Sequence, residues 1–211
     1  MSRAKKTIVY VDGENFLFKV ADILKESGHI QHKPDIIKFY FSRLKRSAFT
    51  EFNIDSIRFY AAKLGQHEET PALYEQSNRL IDSQRRLKRS LTNDGVEFVL
   101  SGNVRLQEVI PAQKGQKEKY LFKEKGTDVR LAIDALANAC DGDVGTVVLV
   151  SSDSDMQPMV SEVRRRGVKV VYVGFEIQPN MGLSYRCDQT ILLRKSEIID
   201  AFTGTQQELL K

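Results

Sequence analysis

The stretch TVVLVSSDSDMQPMV, Thr146–Val160, decides which fold this sequence predicts. Its opening run, TVVLV, is apolar, β-branched and too short for a helix, so it predicts a buried strand. Two aspartates, Asp153 and Asp155, follow at once, and a helix-like segment comes after them. A strand that leads through acids into a helix is typical of α/β folds, in which ligands bind beyond the carboxyl ends of the strands.

Further strands of the same kind are predicted at Thr7–Asp12 and Val168–Phe175, with others at Ile54–Lys63 and Gly95–Leu100. Continuous apolar runs favour strands that are covered on both faces, as in a parallel sheet. Helical patterns separate the strands along the chain. We therefore predict an α/β fold, a three-layer α/β/α sandwich with a mainly parallel central sheet.

Two of the helical patterns give specific predictions. Pro34 is a good first-turn residue, and it predicts a helix that runs on to Phe49. In the segment Asp128–Cys140, apolar residues recur at the spacing of one helical face. That face, predicted to be buried, contains Val129, Ala132, Ile133, Leu136, Ala139 and Cys140.

The 211 residues, 41% of them hydrophobic, predict a single domain over 1–211 with a core at about 7–193. Residues 101–125 predict a basic β-hairpin or flap inserted beside the sheet, and 194–211 a C-terminal helix or tail. The N-terminus has no apolar stretch long enough for a signal peptide or a membrane span. With only two cysteines, a cytoplasmic location without a disulfide scaffold is predicted.

The net charge of +4 is modest, but the basic residues are clustered. One cluster lies in Arg79–Ser90 and includes Arg85, Arg86 and Arg89. Another crowds the predicted hairpin and ends at Lys125. Such clusters attract phosphate backbones, although each one alone is more often a solvated face. A nucleic acid is therefore a candidate partner, whereas a membrane is not.

Four acids from three segments are expected at one edge of the sheet. Asp12 ends the first strand, Asp128 opens a helix, and Asp153 and Asp155 follow the strand of the opening stretch. Each acid alone is more often a cap or a turn residue. Two carboxylates about 5 Å apart repel by roughly 3 kcal/mol, so a converging set favours a bound cation. Oxygen ligands indicate Mg²⁺ or Mn²⁺.

Several kinds of site are disfavoured by the sequence. The three histidines, His29, His32 and His67, do not adjoin these acids, which argues against paired-histidine nucleases and histidine-based zinc centres. The chain has no Walker-type phosphate loop, no G-x-G-x-x-G after a strand and no G-x-S-x-G elbow.

Four blocks, taken in order, resemble the NYN domain, the LabA-like branch of the PIN-like ribonucleases. They are IVYVDGENF (8–16), KEKGTDVRLAIDAL (123–136), VVLVSSDSDMQPMVSEVRRRGVKVVYVG (147–174) and SYRCDQTILL (184–193). The combination is specific, although residues 33–101 contribute little to it. The resemblance implies a PIN-like α/β/α fold and metal-dependent RNA cleavage that leaves a 5′-phosphate and a 3′-hydroxyl.

The resemblance also implies roles for individual residues. Asp12, Asp128, Asp153 and Asp155 match the catalytic and metal-binding acids. Asn15 matches the asparagine of the first block, which could hold a metal-bound water or a phosphate. Asp134 matches a recurrent acid, but six residues turn it far from Asp128 on a helix, so we interpret it as supporting or structural. The family often has glycine at Ser152 and an aromatic residue at Met156.

The leading hypothesis is an endoribonuclease that cleaves single-stranded RNA. The four aspartates would form its active site and bind Mg²⁺ or Mn²⁺. The residues predicted to contact substrate are Asn15, Ser152, Ser154, Lys125, Arg85, Arg86 and Arg89. Tyr120 or Phe122 could stack a base, although packing within the hairpin is the commoner role. The alternatives are a non-catalytic RNA- or protein-binding adaptor and, well below it, a phosphotransferase that uses Asp12. The sequence does not determine the oligomeric state, and a homo-oligomer is one possibility.

Overall fold

The computed structural model describes residues 5–110 and 119–204. Within them, seven strands form one sheet in the order β4-β3-β2-β1-β5-β6-β7, in which only the β3–β4 pair is antiparallel. The strands are β1 Lys6–Asp12, β2 Ser56–Lys63, β3 Val96–Ile110, β4 Lys119–Lys125, β5 Val144–Val150, β6 Lys169–Phe175 and β7 Gln189–Leu193. The predicted α/β class with a mainly parallel sheet is confirmed.

Seven α-helices lie in the same described ranges. They are α1 Gly13–Glu26, α2 Phe41–Ser47, α3 Pro71–Asn93, α4 Thr127–Cys140, α5 Gln157–Arg165, α6 Met181–Arg186 and α7 Lys195–Thr203. Two short 3₁₀ turns, Lys33–Asp35 and Ser154–Met156, accompany them. None of the helices in the part of the chain described is long and apolar enough to cross a membrane.

The core lies on both faces of the sheet. Val9 and Val11 of β1 belong to one buried cluster, whereas Ile8 and Tyr10 belong to the other, as the alternation of side chains along a strand requires. Residues of α1, α2, α3 and α7 join the first cluster, and residues of α4, α5 and α6 join the second. Helices therefore cover the two faces, and the strand ends are left for the site.

The helix predicted to begin at Pro34 begins only at Phe41. Pro34 lies in a 3₁₀ turn, and the chain from Ile36 to Tyr40 is not helical. Phe39 and Phe41 are two residues apart and both pack on Phe16 of α1, with ring centroids 5.2 Å away in each case. Extended backbone points alternate side chains the same way, and the burial of both rings outweighs the helical pattern.

The predicted buried face of α4 is wrong for several of its residues. Val129 and Ile133 are 56% and 57% exposed, and Cys140 is exposed as well. The residues of α4 that are buried are Thr127, Leu131, Ala135 and Ala139. The apolar positions of this helix form two stripes, and the stripe that faces the sheet is the one with the small alanines.

β3 continues through the start of the predicted hairpin without ending. It pairs with β2 up to Asn103, with a shift of register at Ser101 and Gly102, and it pairs with β4 from Asn103 onwards. Gly102 adopts a φ of 65°, which favours glycine. The PAQKGQ segment predicted as the turn, Lys114 and Lys117 lie outside the described residues, as do the side chains of Lys119 and Tyr120.

Candidate functional site

Asp12 is held where β1 ends and α1 begins. Val11 of β1 pairs with Val150, the last residue of β5, so the residues that follow them in the chain, Asp12 and Ser151, lie at the same level. The Ser151 hydroxyl donates to Asp12 Oδ2 over 3.0 Å, and the Asn15 backbone N–H donates to Asp12 Oδ1 over 3.2 Å. Asp12 therefore caps α1 from a position in which only 8% of it is exposed.

The loop after β5 is tied to Asp12 by a chain of hydrogen bonds. Ser151 Oγ also accepts from the Asp153 N–H over 3.1 Å, and Asp153 Oδ1 accepts from the Asp155 N–H over 2.9 Å. The Ser152 N–H donates to Asn15 Oδ1 over 2.9 Å, which joins this loop to α1. The local chain is thus fixed before any ligand binds.

Asp12, Asp128 and Asp153 line one open cleft of about 530 Å³, which we call the acidic cleft. Its lining is formed by Asp12, Glu14, Asn15, Phe18, Glu124, Lys125, Gly126, Asp128, Val129 and Asp153. Asp155 does not line it. Asp155 instead lines an adjoining groove of about 240 Å³ between α4 and α5, and Asp128 lines both depressions.

The electrostatic balance at Asp12 disfavours its charge. Burial raises the pKa of Asp12, and the negative charges of Asp153 and Glu14 raise it further. The hydrogen bonds from Asn15 and Ser151 oppose that rise but do not cancel it. A cation in the acidic cleft would offset both the lost hydration and the repulsion between the acids.

Glu124 is an acid of the acidic cleft that sequence reasoning missed. Burial raises its pKa to about 7; the carboxylates of Glu14 and Asp12 add to the rise, whereas a hydrogen bond with Thr127 and the charge of Lys33 oppose it. A mixture of charged and neutral Glu124 is therefore expected near neutral pH. In the sequence, Glu124 stands between Lys123 and Lys125, so this stretch was interpreted as a basic cluster and its acid was overlooked.

The comparisons with known proteins place the chain in a family. The model of the NYN domain matches residues 6–194. This chain belongs to the NYN domain family. No curated protein matches it. A solved structure of a protein of unknown function from Vibrio parahaemolyticus is similar, with a TM-score of 0.55 and 21% identity over 92% of this chain and 96% of that chain. At that identity the similarity shows the fold alone.

The NYN domain belongs to the PIN-like nuclease superfamily, whose members generally use divalent metals and typically bind RNA. Among the side chains that the structure describes, residues 5–105 and 122–204, no three of His, Cys, Asp or Glu are grouped closely enough to hold a metal ion. The chemistry nevertheless fits a hard cation, because carboxylate oxygens from three segments line one cleft. Binding would require the side chains of Asp12, Asp128 and Asp153 to draw together.

The predicted substrate residues of this NYN domain fall in three places. Asn15 and Lys125 line the acidic cleft. Ser152 lies in the loop that Asn15 binds, and Ser154 is exposed in the next turn. The arginines predicted to bind substrate, Arg85, Arg86 and Arg89, are exposed on α3, which does not line the acidic cleft.

Asp134 is engaged in structural contacts. Its carboxylate accepts from the Tyr60 hydroxyl over 3.0 Å and from Arg130 Nε over 2.8 Å. Phe18, by contrast, was missed by sequence reasoning: it is 57% exposed on α1 and lines the acidic cleft. The sequence did contain a signal, because Phe18 follows Phe16 of the apolar face by two residues and so lies roughly 200° around the helix from it.

The substitution Glu124→Gln is expected to change how stability depends on pH. Because the folded pKa of about 7 exceeds the ordinary 4.5, the part of wild-type stability that depends on neutral Glu124 is fully present below pH 4.5 and is lost as pH rises to about 7. The variant lacks this loss. Its melting temperature, measured by calorimetry in EDTA, should therefore fall less over that interval than the wild-type value.

The exposed Glu75→Gln substitution on α3 is the control for this measurement. It should follow the wild-type pH profile. If Glu124→Gln follows that profile too, the raised pKa of Glu124 is wrong.

Proposed function

We propose that this NYN domain is an endoribonuclease that requires Mg²⁺ or Mn²⁺ and hydrolyses single-stranded RNA at the acidic cleft, on a PIN-like α/β/α sandwich. The observation that supports this most is that Asp12, Asp128 and Asp153, from β1, α4 and the loop after β5, line one cleft. Asp12 is nearly buried there and has no ion-pair partner in the described chain. These three acids would hold the metal.

A divalent ion bound there would neutralise the negative charge that develops on the phosphodiester during hydrolysis. The chain itself would position the groups around it. Ser151 and the Asn15 N–H hold the Asp12 carboxylate in one orientation. Asn15 Oδ1 is occupied by the Ser152 N–H, so the side-chain amide NH₂ of Asn15 is the group that would donate to a phosphate oxygen.

The cations near the acidic cleft would bind the RNA backbone. Lys125 lines the cleft itself and would contact the phosphate next to the scissile one. The exposed arginines of α3 would bind phosphates further along the RNA.

Asp155 remains one of the four proposed acids. It lines the groove next to the acidic cleft, and Asp128 lines both spaces, so Asp155 is adjacent to the proposed metal site.

Cleavage of end-labelled single-stranded RNA tests the proposal directly. Cleavage is expected with Mg²⁺ or Mn²⁺ and is expected to stop in EDTA, and the products should carry 5′-phosphates. DNA of the same sequence, run in parallel, measures the preference for ribose. Absence of turnover with any divalent metal would contradict the proposal.

The second candidate is a non-catalytic adaptor that binds RNA or a protein. The observation in its favour is that no ready-made group of three metal ligands occurs in the described residues. Salt-sensitive RNA binding without turnover in any metal would select it.

Phe18→Ala is expected to weaken binding of single-stranded RNA by about tenfold, since stacking on an aromatic side chain contributes roughly 1–3 kcal/mol per base. The ring is exposed at the edge of the acidic cleft, where a base next to the bound phosphate would lie on it. Fluorescence anisotropy at fixed salt in Ca²⁺, which oxygen ligands bind and which replaces Mg²⁺ or Mn²⁺, measures the affinity, and a gel run afterwards checks that the RNA is intact.

Tyr185→Ala is the matched control, since Tyr185 is an 82% exposed aromatic residue on α6 that does not line the acidic cleft. Its loss should leave RNA affinity unchanged. If both substitutions weaken RNA affinity equally, exposed aromatic rings contribute to RNA binding wherever they lie, and the position of Phe18 at the acidic cleft is not what matters.

A further inference from the structure

A second cavity, of about 240 Å³, opens beside the acidic cleft; we call it the apolar cavity. It lies between α3 and the strands β2, β3 and β4. Glu14 and Glu124 line both the apolar cavity and the acidic cleft, and Gly13, the neighbour of Asp12, also lines the cavity. A ligand in one space would therefore be adjacent to a ligand in the other.

The walls of the apolar cavity suit a flat aromatic ring. Phe59, Phe98 and Phe122 contribute rings, and Leu80 and Leu87 of α3 close the opposite side. The rings of Phe59 and Phe98 are stacked, with centroids 5.4 Å apart and an angle of 23° between their planes. A planar ligand between these rings and α3 would make offset or edge-to-face contacts with the rings and van der Waals contacts with the leucines.

The size of the apolar cavity limits the ligand to one small ring system. A cavity of about 150 Å³ is large enough to hold benzene, and pockets for drug-sized ligands begin at roughly 300 Å³. The 240 Å³ measured here lies between the two. One nucleobase fits this interval, whereas a nucleotide pair does not.

Polar groups in the lining could read the edge of a base. Gln84 donates from Nε2 to the Ala62 carbonyl over 2.9 Å, which fixes its amide and leaves Oε1 as an acceptor. The Ser83 hydroxyl lines the same cavity and has no hydrogen-bond partner among the side chains described. Lys33, paired with Glu14, supplies a cation in the lining. An apolar body with a hydrogen-bonding edge is the chemistry of a nucleobase.

We propose that the apolar cavity binds one nucleobase of the RNA whose backbone occupies the acidic cleft, and so gives the enzyme a preference for the base at one position. The inference rests on the proposed function, because it takes RNA as the ligand of the cleft. Proteins that read single-stranded RNA extrude bases onto aromatic side chains and bind their edges by hydrogen bonds. The continuity of the two spaces places such a base next to the bound phosphate.

The experiment is an abasic scan of a short single-stranded RNA, with affinity measured by fluorescence anisotropy in Ca²⁺, which oxygen ligands bind and which replaces Mg²⁺ or Mn²⁺; a gel run afterwards checks that the RNA is intact. Each nucleotide in turn is replaced by an abasic one. In the wild-type protein, removal of one base should weaken binding by about tenfold or more. A second sensitive position is expected for the base that stacks on Phe18. Repeating the scan with Phe18→Ala identifies that position, because its sensitivity should be lost in the variant.

Ser83→Leu fills the apolar cavity from α3, whereas Glu75→Leu adds a leucine at an exposed position of the same helix that does not line the cavity. With Ser83→Leu, the intact RNA should bind about tenfold more weakly, and the cost of the sensitive abasic position should disappear. With Glu75→Leu, that cost should remain. Thermal melting checks that the variants are folded, and Leu80→Phe, which fills the cavity from the same helix, is used if Ser83→Leu does not fold.

An abasic cost that persists in the filled variant would overturn the inference while leaving the RNA proposal intact. A scan in which the position that stacks on Phe18 is the only sensitive one would also overturn the inference. A filled variant that is more stable and binds RNA normally would do the same, because the cavity would then be a packing void. Failure of the wild-type protein to bind RNA at all would instead overturn the proposed function and, with it, this inference.

Discussion

Asp153→Asn is expected to lower the rate of RNA cleavage by about 10²-fold or more, the loss typical of a positioned electrostatic group. The substitution removes a charge from the acidic cleft and leaves the loop intact. Asp153 Oδ1 accepts the Asp155 N–H, and an asparagine can accept the same bond. Single-turnover kinetics with labelled single-stranded RNA in Mg²⁺ measure the effect, and anisotropy in Ca²⁺ checks that RNA still binds.

Two further substitutions calibrate this result. Asp155→Asn, in the adjoining groove, should have a smaller effect, of about tenfold or less, because Asp155 does not line the acidic cleft. Asp82→Asn, exposed on α3, should have none. Unchanged cleavage in Asp153→Asn would point to a contaminating nuclease and would remove the support for the acidic cleft.

Gly13→Ala is expected to destabilise the protein by about 3 kcal/mol, the upper range for overpacking of a buried site. A Cβ at this position would lie 2.3 Å from the Tyr60 carbonyl oxygen and 2.4 Å from the ring of Phe59. Neither can withdraw easily, because both belong to the buried strand β2. The melting temperature should fall by roughly 6–12 °C, as expected for a chain of this size.

The same substitution should impair cleavage, because Gly13 is the first residue of α1 and follows Asp12 directly. Gly65→Ala is the matched control: a Cβ there meets nothing within 4 Å and the backbone does not need a positive φ, so stability should stay level or rise slightly. If Gly13→Ala melts like Gly65→Ala, the close packing of α1 against β2 is wrong.

Much of the fold follows from the sequence because burial on both faces leaves a plain pattern. The apolar runs that end at Asp12 and Val150 are parallel neighbours in the sheet, and the acids that follow them lie beyond their carboxyl ends. The place of Asp12 and Asp153 at one edge of the sheet was therefore predictable, whereas their role in binding metal, and that of Asp128 in α4, stays a prediction. The order of the strands puts β1 in the middle of the sheet. A strand as apolar as β1 suits that position, because helices cover both of its faces there.

Other features depend on contacts between distant segments, which a periodic pattern does not reveal. Ser151 matters because strand register sets it beside Asp12, and the groove for Asp155 depends on how α5 packs beside α4. The helix predicted from Pro34 is lost to the packing of Phe39 and Phe41 on Phe16. Glu124 acquires its raised pKa only from burial against other acids.

The central claim is that acids from separate segments bind a divalent metal in one cleft. Crystals soaked in Mn²⁺ and measured at a wavelength with anomalous signal test it most directly. We predict an anomalous peak bound by the carboxylates of Asp12, Asp128 and Asp153, at about 2.0–2.2 Å, the oxygen distance of small hard cations. A peak elsewhere, or none at a Mn²⁺ concentration that supports cleavage, would contradict the account.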